Sequence, residues 1–317
     1  MRRLPVLAAA LALLAAGPAG AEEAFITNQG SDSVTVLDLG AGKAVATIPV
    51  EGKPAGVAVA PGGAQVYVTC PDGKALAVID AAARRVSARI ALGGSPLGVA
   101  VHPSGAPVYV ADLLGDRVQA VDPLLGKVTR AEASGHAPSG LAVTPDGKVL
   151  LVAERDDDQV AFLDAATLAR LATVKVGAHP FGIAVDREGR RAYTANVESD
   201  DVSVIDLETR RLVGSIAAGK RPYVVALTRD LGFVTDQYLG AVTAFRLDTL
   251  EPVKRISVGD YPEGIEASAD GNRVYVANWE SNTVSVIDVA RLKVEREIAV
   301  GDGPRAFGLF LRPAATP

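Results

Sequence analysis

Residues 180–220 read PFGIAVDREGRRAYTANVESDDVSVIDLETRRLVGSIAAGK, and this stretch decides the fold. It contains four short apolar runs, at 181–186, 192–196, 202–206 and 212–216. The runs are rich in Val, Ile, Ala or Tyr, and turn-forming residues such as Gly, Asp and Asn lie between them. Runs of this length and composition are typical of antiparallel strands. The stretch therefore predicts a unit of four strands joined by turns.

The same unit recurs along the whole chain. An Asp closes the third strand of each copy, and the copies are 42 residues apart except for one spacing of 40: Asp38, Asp80, Asp122, Asp164, Asp206, Asp248 and Asp288. A proline before the first strand keeps the same spacing: Pro54, Pro96, Pro138, Pro180, Pro222, Pro262 and Pro304. Repeats of this length that contain four strands are typical of propeller blades. The sequence therefore predicts an all-β, seven-bladed β-propeller with four antiparallel strands per blade.

The phase of the repeat predicts how the ring closes. Residues 25–28 match the second strand of a blade, whereas residues 305–312 match a first strand that has no further strand after it. We therefore expect the C-terminal strand to join the N-terminal blade and to bury Phe307, Leu309 and Leu311 or the residues that alternate with them. Such closure removes the unpaired strand edges that promote aggregation.

The first 21 residues have the features of a secretory signal peptide. Arg2 and Arg3 precede an apolar stretch that is too short to span a bilayer, and residues 19–21 fit the small-x-small cleavage pattern. We expect cleavage after Ala21 and a periplasmic or secreted location. The mature chain, residues 22–317, is expected to form one propeller domain without a transmembrane segment.

Charge and cysteine content narrow the possible partners. The chain has 37 acidic and 32 basic residues, and removal of Arg2 and Arg3 leaves 30 basic residues and a formal charge of −7. We therefore expect no nucleic acid as the main partner. Acidic residues cluster in loops 154–158 and 198–201, where they could bind Ca²⁺, dock a basic partner or form a solvated patch. Cys70 is the single cysteine, so no intrachain disulfide can form. Separately, we expect the protein to be a monomer.

The links between blades carry residues that differ from one copy to the next. Because strand direction alternates, these links and the loops between second and third strands share one face of the disc, which we call the upper face; the other turns form the lower face. Cationic and aromatic side chains at the upper mouth of the channel suit an anionic or quinone-like small molecule. Alternatively, they are solvated loop residues. The candidate ligand-binding residues are His136, His179, Phe181, Lys220, Arg221, Tyr223, Glu263 and Arg305.

Loops of the upper face also offer an interface residue and carboxylates. Trp279, the single tryptophan, is a candidate anchor for a protein partner, or it packs against the neighbouring blade. Asp112, Glu154 and Asp236 are weak candidates for divalent-metal ligands, because no calcium-loop or zinc motif accompanies them. The aspartates that close the third strands are expected to cap turns and not to catalyse a reaction.

Several second strands carry a recognisable motif. Phe25-Ile-Thr-Asn28, Tyr67-Val-Thr-Cys70 and Tyr275-Val-Ala-Asn278 are followed by V-S-V-I-D-like strands and I-x-V-G-x-x-P-x-G links. This pattern resembles the YVTN-family β-propeller repeat over essentially all of residues 22–317. Members of that family serve as binding modules, accessory proteins, surface-layer components and a few enzymes. The chain is also similar to exported propellers associated with alcohol catabolism that depends on pyrroloquinoline quinone (PQQ).

These observations favour an exported, non-enzymatic binding or accessory protein. We expect it to present one channel mouth to a small ligand or a periplasmic protein partner, without a cofactor. The alternative is an enzyme, either a lactonase-like propeller whose metal is held by the three carboxylates above with Glu263, or a haem d1-type redox protein with His136 or His179 as axial ligand. PQQ is a further possible cofactor. A purely structural or surface-interaction protein is the third possibility.

Overall fold

The computed structural model describes residues 22–312, and it confirms the predicted propeller. Seven antiparallel sheets, one per blade, surround a central channel. The predicted signal peptide, residues 1–21, lies outside the described residues. The helical elements among residues 22–312 are two 3₁₀ turns, Arg155–Asp157 and Gln237–Leu239. No helix in this part of the chain is long and apolar enough to cross a membrane.

The strands follow one another from the inside of each blade to the outside. Blades 1 and 2 contain β1 (Glu23–Asn28), β2 (Ser33–Asp38), β3 (Lys43–Pro49), β4 (Gly56–Val59), β5 (Gln65–Cys70), β6 (Ala75–Asp80) and β7 (Arg85–Ala91). Blades 3 and 4 contain β8 (Pro96–Val101), β9 (Val108–Asp112), β10 (Arg117–Asp122), β11 (Lys127–Ala133), β12 (Pro138–Val143), β13 (Val149–Glu154), β14 (Gln159–Asp164) and β15 (Arg170–Lys175). Blades 5 to 7 contain β16 (Pro180–Val185), β17 (Arg191–Asn196), β18 (Asp201–Asp206), β19 (Arg211–Ala217), β20 (Pro222–Leu227), β21 (Leu231–Asp236), β22 (Ala241–Arg246), β23 (Pro252–Ser257), β24 (Pro262–Ala267), β25 (Arg273–Asn278), β26 (Thr283–Asp288) and β27 (Lys293–Ala299). The described chain ends in β28 (Phe307–Leu309) and β29 (Leu311–Arg312).

The core lies between neighbouring blades. Second and third strands such as β5 and β6 are buried along almost their whole length, because each blade is covered by a neighbour on both faces. Outer strands such as β7 are mostly exposed. Tyr109 is fully buried between blades 3 and 4, and its hydroxyl donates to the Ala165 carbonyl over 2.7 Å. A large side chain buried in this way stabilises the fold by about 1.5–3 kcal/mol.

The C-terminal segment closes the ring, as predicted, but not as one regular strand. β29 pairs with β1, and the Phe25 N–H donates to the Phe310 carbonyl. The preceding strand, β28, pairs in parallel with β4 of blade 2. This path places Gly308 at φ 130°, where a Cβ would lie 2.2 Å from the Val57 carbonyl oxygen. The segment therefore has a local kink that only glycine accommodates.

The kink changes which C-terminal residues are buried. Phe307 and Phe310 are buried, whereas Leu309 is 64% exposed. The expected burial of Leu309 is therefore wrong, and Leu311 is only partly buried. Strict alternation would require an unbroken strand, and the backbone turn at Gly308 interrupts it.

Candidate functional site

The upper end of the channel is closed by side chains that meet across its axis. The ring centroids of Phe181 in blade 5 and Phe307 in blade 1 lie 5.0 Å apart, and Tyr223 of blade 6 stacks on Phe181 at 4.2 Å. Blades 1 and 5 are not neighbours in the ring, so this contact spans the channel. Ala55 and Leu97 belong to the same buried cluster. We call the following set the upper plug: Ala55, Leu97, Phe181, Tyr223, Glu263, Arg305 and Phe307.

A buried ion pair completes the upper plug. Arg305 donates from Nε to Glu263 Oε2 over 2.6 Å and from Nη2 to the Tyr223 hydroxyl oxygen over 2.6 Å. Gln237 donates to the other Glu263 oxygen over 2.9 Å. The side chain of Glu263 is 6% exposed and that of Arg305 is 19% exposed. These polar groups satisfy one another, so a ligand would have to displace Glu263 in order to bind Arg305.

The protonation states within the upper plug follow from burial and from this pairing. Burial raises the pKa of Tyr223, so its hydroxyl remains neutral. Burial by itself would lower the pKa of Arg305, but the adjacent Tyr223 and Glu263 outweigh that effect and the net shift is upward. Arg305 is therefore a permanent cation held against Glu263.

Threonines of the second strands position the upper plug. Thr69 donates from Oγ1 to the Leu97 carbonyl over 2.7 Å, and Thr235 donates to the Glu263 carbonyl over 3.0 Å. Each bond runs from the second strand of one blade to the inner strand of the next. The Thr of the repeat motif therefore fixes the positions of the residues that follow the link prolines.

The other predicted ligand residues are exposed on the upper face around the plug. Each is matched by a carboxylate from a loop between second and third strands. The pairs are His136–Asp157, His179–Glu198, Arg221–Glu198 and Lys220–Asp200, at 2.9, 2.9, 3.4 and 2.5 Å. The hydrogen bond to Asp157 raises the pKa of His136. The eight candidates thus fall into two groups: Phe181, Tyr223, Glu263 and Arg305 are together in the plug, and the other four form paired charges around it.

Some loop carboxylates have a structural role that the sequence analysis missed. In five blades the residue before the link proline has a positive φ, and its backbone N–H donates to an Asp or Asn side chain four residues beyond the end of a second strand. The acceptors are Asp32, Asp116, Asp158, Asp200 and Asn282. Their spacing follows the repeat, so the signal was present in the sequence. Asp158 and Asp200, members of the acidic clusters, therefore hold the links in place.

The weak candidates for metal ligands lie in three different blades, and each is buried in its own set of hydrogen bonds. Asp112 and Glu154 pair with Arg117 at 2.8 Å and with Arg170 at 2.6 Å. The third, Asp236, accepts a hydrogen bond from a backbone N–H and another from a threonine hydroxyl. Residues 22–312 contain no group of three or more His, Cys, Asp or Glu side chains arranged to hold a metal. These carboxylates therefore do not fit a shared metal ion in this arrangement.

The lower part of the channel, in contrast, contains a cavity of about 1140 Å³ that opens on the lower face. All seven blades contribute one residue each at the same repeat position, five residues beyond the link proline. These wall residues are Val59, Val101, Val143, Val185, Leu227, Ala267 and Leu309. A wall of this composition offers few partners to ordered water and suits the apolar body of a ligand.

Five arginines lie at the mouth of this lower cavity, all of them from blades 5 and 6. Arg187 and Arg190 come from the turn between β16 and β17, Arg191 begins β17, and Arg229 and Arg246 come from blade 6. Among the described residues, the only one of these five with a carboxylate within 4 Å is Arg190, 3.8 Å from a glutamate in its own turn. The nearby Asp186 accepts hydrogen bonds from the backbone of its own turn. Arg187 and Arg191 also donate to the backbone carbonyls of Ala269 and Leu247. Arg229 and Arg246 form no side-chain hydrogen bond within residues 22–312 and are available to an anionic group at the mouth.

The inner strands contribute one carboxyl group, Glu266, to the lower cavity, and lower turns and strand ends contribute Asp186, Glu188, Asp206, Asp230 and Asp248. Glu266 accepts hydrogen bonds through Oε2 from the N–H groups of Phe310, at 2.5 Å, and Leu311, at 2.8 Å. Burial raises the pKa of Glu266 to about 8, and the charge of Glu22 adds to the effect. Glu266 thus pins the C-terminal strand and lies beside the apolar wall residues.

Two family models match separate parts of the chain. Residues 6–103 match a model described as a YNCE-like beta-propeller, and residues 116–226 match one described as a lactonase, 7-bladed beta-propeller. None of the curated proteins matches the sequence. The two matches agree with the observed architecture.

Solved structures show the same fold at low sequence identity. A functionally unknown protein from Desulfotomaculum acetoxidans superposes with a TM-score of 0.79 and 15% identity, over 90% of this chain and 99% of that one. The dihydro-haem d1 dehydrogenase NirN superposes with a TM-score of 0.68 and 19% identity, over 87% of this chain and 63% of that one. Hydrazine synthase of Kuenenia stuttgartiensis superposes with a TM-score of 0.55 and 19% identity, over 75% of this chain and 96% of that one. At these identities the similarity establishes the propeller fold and does not extend to function.

Proposed function

We propose that this protein is an exported, non-enzymatic binding protein that holds a small molecule in the lower cavity. The observation that carries the proposal is the cavity of about 1140 Å³, to which all seven inner strands contribute side chains. Export rests on the signal-peptide pattern of residues 1–21. This placement differs from the upper-mouth site that the sequence suggested, because the polar groups of the upper plug already bind one another.

The ligand class follows from the wall and the mouth. An apolar body would lie against Val101, Val143 and Leu227, and an anionic head would reach Arg229 or Arg246 at the lower mouth. Charge-assisted hydrogen bonds from arginine favour carboxylate, sulfonate or phosphate groups. Amphipathic anions and quinones with acidic substituents, PQQ among them, have this combination. The resemblance to exported propellers associated with PQQ supports testing that compound first.

Calorimetry on cavity variants tests the proposal. We would screen quinones, PQQ and aliphatic carboxylates by thermal shift, then measure the dissociation constant of the best compound for the parent, Leu227→Trp and Arg229→Ala. Leu227→Trp should fill the cavity and abolish binding, and Arg229→Ala should weaken it about tenfold. Arg85→Ala removes a charge from the lower face of blade 2 and is the matched control. Binding that is unchanged in Leu227→Trp would contradict the proposal.

An enzymatic function is the second candidate, favoured by the lactonase-type match over residues 116–226. In that function a divalent metal or a haem d1-type cofactor would supply the chemistry. The carboxylate required from that part of the chain, Glu154, is engaged by Arg170 and Ser134. Metal analysis and an absorption spectrum of the purified protein decide the question. About one metal per chain, or a haem absorption band, would replace the binding proposal with the enzymatic one.

A further inference from the structure

Three aromatic side chains form a strip on the upper face, at the opposite end of the molecule from the lower cavity. Tyr238 lies in the 3₁₀ turn of blade 6, Tyr261 in the link to blade 7 and Trp279 in the next loop. Their ring centroids are 5.3 and 6.1 Å apart along the strip. Tyr238 is 57% exposed and Trp279 is 36% exposed. We call these three residues the aromatic strip.

The backbone holds the aromatic strip in place. The Trp279 N–H donates to the Tyr261 carbonyl over 2.9 Å, and the Tyr238 N–H donates to the Lys220 carbonyl over 3.2 Å. The indole of Trp279 packs over Gly303, where a Cβ would lie 3.0 Å from Nε1. Aromatic side chains that are already ordered lose little conformational entropy when they bind a partner.

Three carboxylates beside the aromatic strip are unmatched. Asp260, Glu280 and Asp302 are exposed beside Tyr261 and Trp279, and none of the three forms a salt bridge with a residue of the described range 22–312. The nearest upper-face cations are already engaged, since Lys220 pairs with Asp200 and Arg221 with Glu198. A cationic partner would therefore meet both aromatic faces and free carboxylates.

The chain itself shows which group fits the first ring of the aromatic strip. The Arg221 guanidinium lies 5.5 Å from the centroid of Tyr238, within the range of a cation–π contact. No such contact is made to Tyr261 or Trp279 by the described residues. Tyr261 and Trp279 thus offer the same kind of aromatic surface as Tyr238, and no arginine of residues 22–312 occupies it.

We propose that the aromatic strip docks a basic segment of a partner protein. Lys or Arg side chains of that segment would stack on Tyr261 and Trp279 and pair with Asp260 and Glu280. An exposed group of tyrosine and tryptophan is the composition that anchors protein interfaces, and the surrounding carboxylates select a basic sequence. The docking face and the lower cavity lie at opposite ends, so either can be tested without the other.

Trp279 provides a direct readout, because it is the only tryptophan in the chain. The probe is a peptide of alternating Arg and Gly residues, titrated into the full chain while tryptophan emission is recorded. We expect a saturable change in emission that weakens with added salt. A peptide with Glu in place of Arg should give none. The same response from the Glu peptide, or no response to the Arg peptide, would overturn the proposal.

Matched variants show whether the Arg peptide binds at the aromatic strip or responds only to the overall negative charge of the protein. Asp260→Asn with Glu280→Gln should weaken the Arg peptide about three- to thirtyfold, as expected for the loss of two exposed ion pairs. Tyr261→Ser should weaken it about two- to fivefold. Asp248→Asn with Glu251→Gln makes the same charge change on the lower face and should leave the affinity unchanged. An equal loss in the lower-face control, or an equal emission change on adding a neutral oligosaccharide, would overturn the assignment.

Discussion

The two ends of one channel differ in a way that separates stability from binding. At the upper end, the residues directly after the link prolines include Phe181, Tyr223 and Arg305, which meet across the axis and are buried. At the lower end, the residues four positions further along are all Val, Ala or Leu, and a cavity of about 1140 Å³ remains between them. Every repeat places one side chain at each end of the channel. The larger side chains at the upper end close it, and the smaller ones at the lower end leave it open.

The closed end also joins parts of the ring that are distant in sequence. Arg305 links the C-terminal segment to Glu263 of blade 7 and to Tyr223 of blade 6. At the lower end, Arg187 of blade 5 donates to the Ala269 carbonyl of blade 7, and Glu266 accepts from the N–H groups of Phe310 and Leu311, but no ion pair among the described wall residues spans the cavity. We therefore expect substitutions in the upper plug to affect stability and those in the lower cavity to affect ligand binding.

The largest effect is expected from Arg305→Ala. This change leaves Glu263 buried without its cation, and breaking a buried pair in this way costs about 3–5 kcal/mol. Urea denaturation should show a large fall in midpoint. Arg229→Ala, at the lower mouth, should stay within about 0.5 kcal/mol of the parent. Equal losses of stability in the two variants would remove the distinction between the two ends.

A comparison of apolar truncations gives the next largest effect. Phe181→Ala removes a buried ring from the upper plug and should cost about 3 kcal/mol or more. Leu309→Ala removes a side chain that is 64% exposed in the lower cavity and should cost less than about 1 kcal/mol. Thermal and chemical denaturation of both variants provide the measurement. A loss in Leu309→Ala as large as in Phe181→Ala would show that the lower end also carries the fold.

The architecture could be predicted because every repeat contains the same pattern of strands and turns. The spacing of Asp206 and its equivalents gives the blade count, and the last strand gives the closure. The predicted burial of Leu309 is wrong, because Leu309 lies at the repeat position that faces the lower cavity in all seven blades. The kink at Gly308 has no equivalent in the other repeats, so the periodic pattern carries no information about it.

The site was harder to predict than the fold. The sequence places Phe181, Tyr223 and Arg305 at one mouth, but the pairing of Arg305 with Glu263 depends on which blades face each other across the axis. Valines such as Val101 and Val143 have the pattern of ordinary core residues. Their position beside open space follows only from the ring geometry and the summed volumes of seven side chains.

A smaller, pH-dependent effect is expected from Glu266→Gln. The pKa of Glu266 is about 8 in the folded protein and close to 4.5 when unfolded. Because the folded pKa is the higher one, the stability contribution is fully present below pH 4.5 and is lost as the pH rises through 8. Parent and variant should therefore have similar stability at pH 4.5, and the variant should be more stable by about 1–2 kcal/mol near pH 8.5, allowing for water in the cavity.

Thermal denaturation across this pH range measures that difference. Glu251→Gln removes a carboxylate from an exposed lower turn and serves as the matched control. A gain in Glu266→Gln that is the same at every pH, or a gain of equal size in Glu251→Gln, would show that the ionisation of Glu266 does not act on the fold.

The most direct test of the central claim is to map where an amphipathic anion binds. A fatty-acid carboxylate carrying a diazirine would be added to the full chain, photolysed and located by mass spectrometry of the digested protein. We predict labels on the lower ends of the inner strands, at residues such as Val101, Leu227 and Leu309, and loss of those labels in Leu227→Trp. Labels on the upper face, around the upper plug or the aromatic strip, would contradict the account.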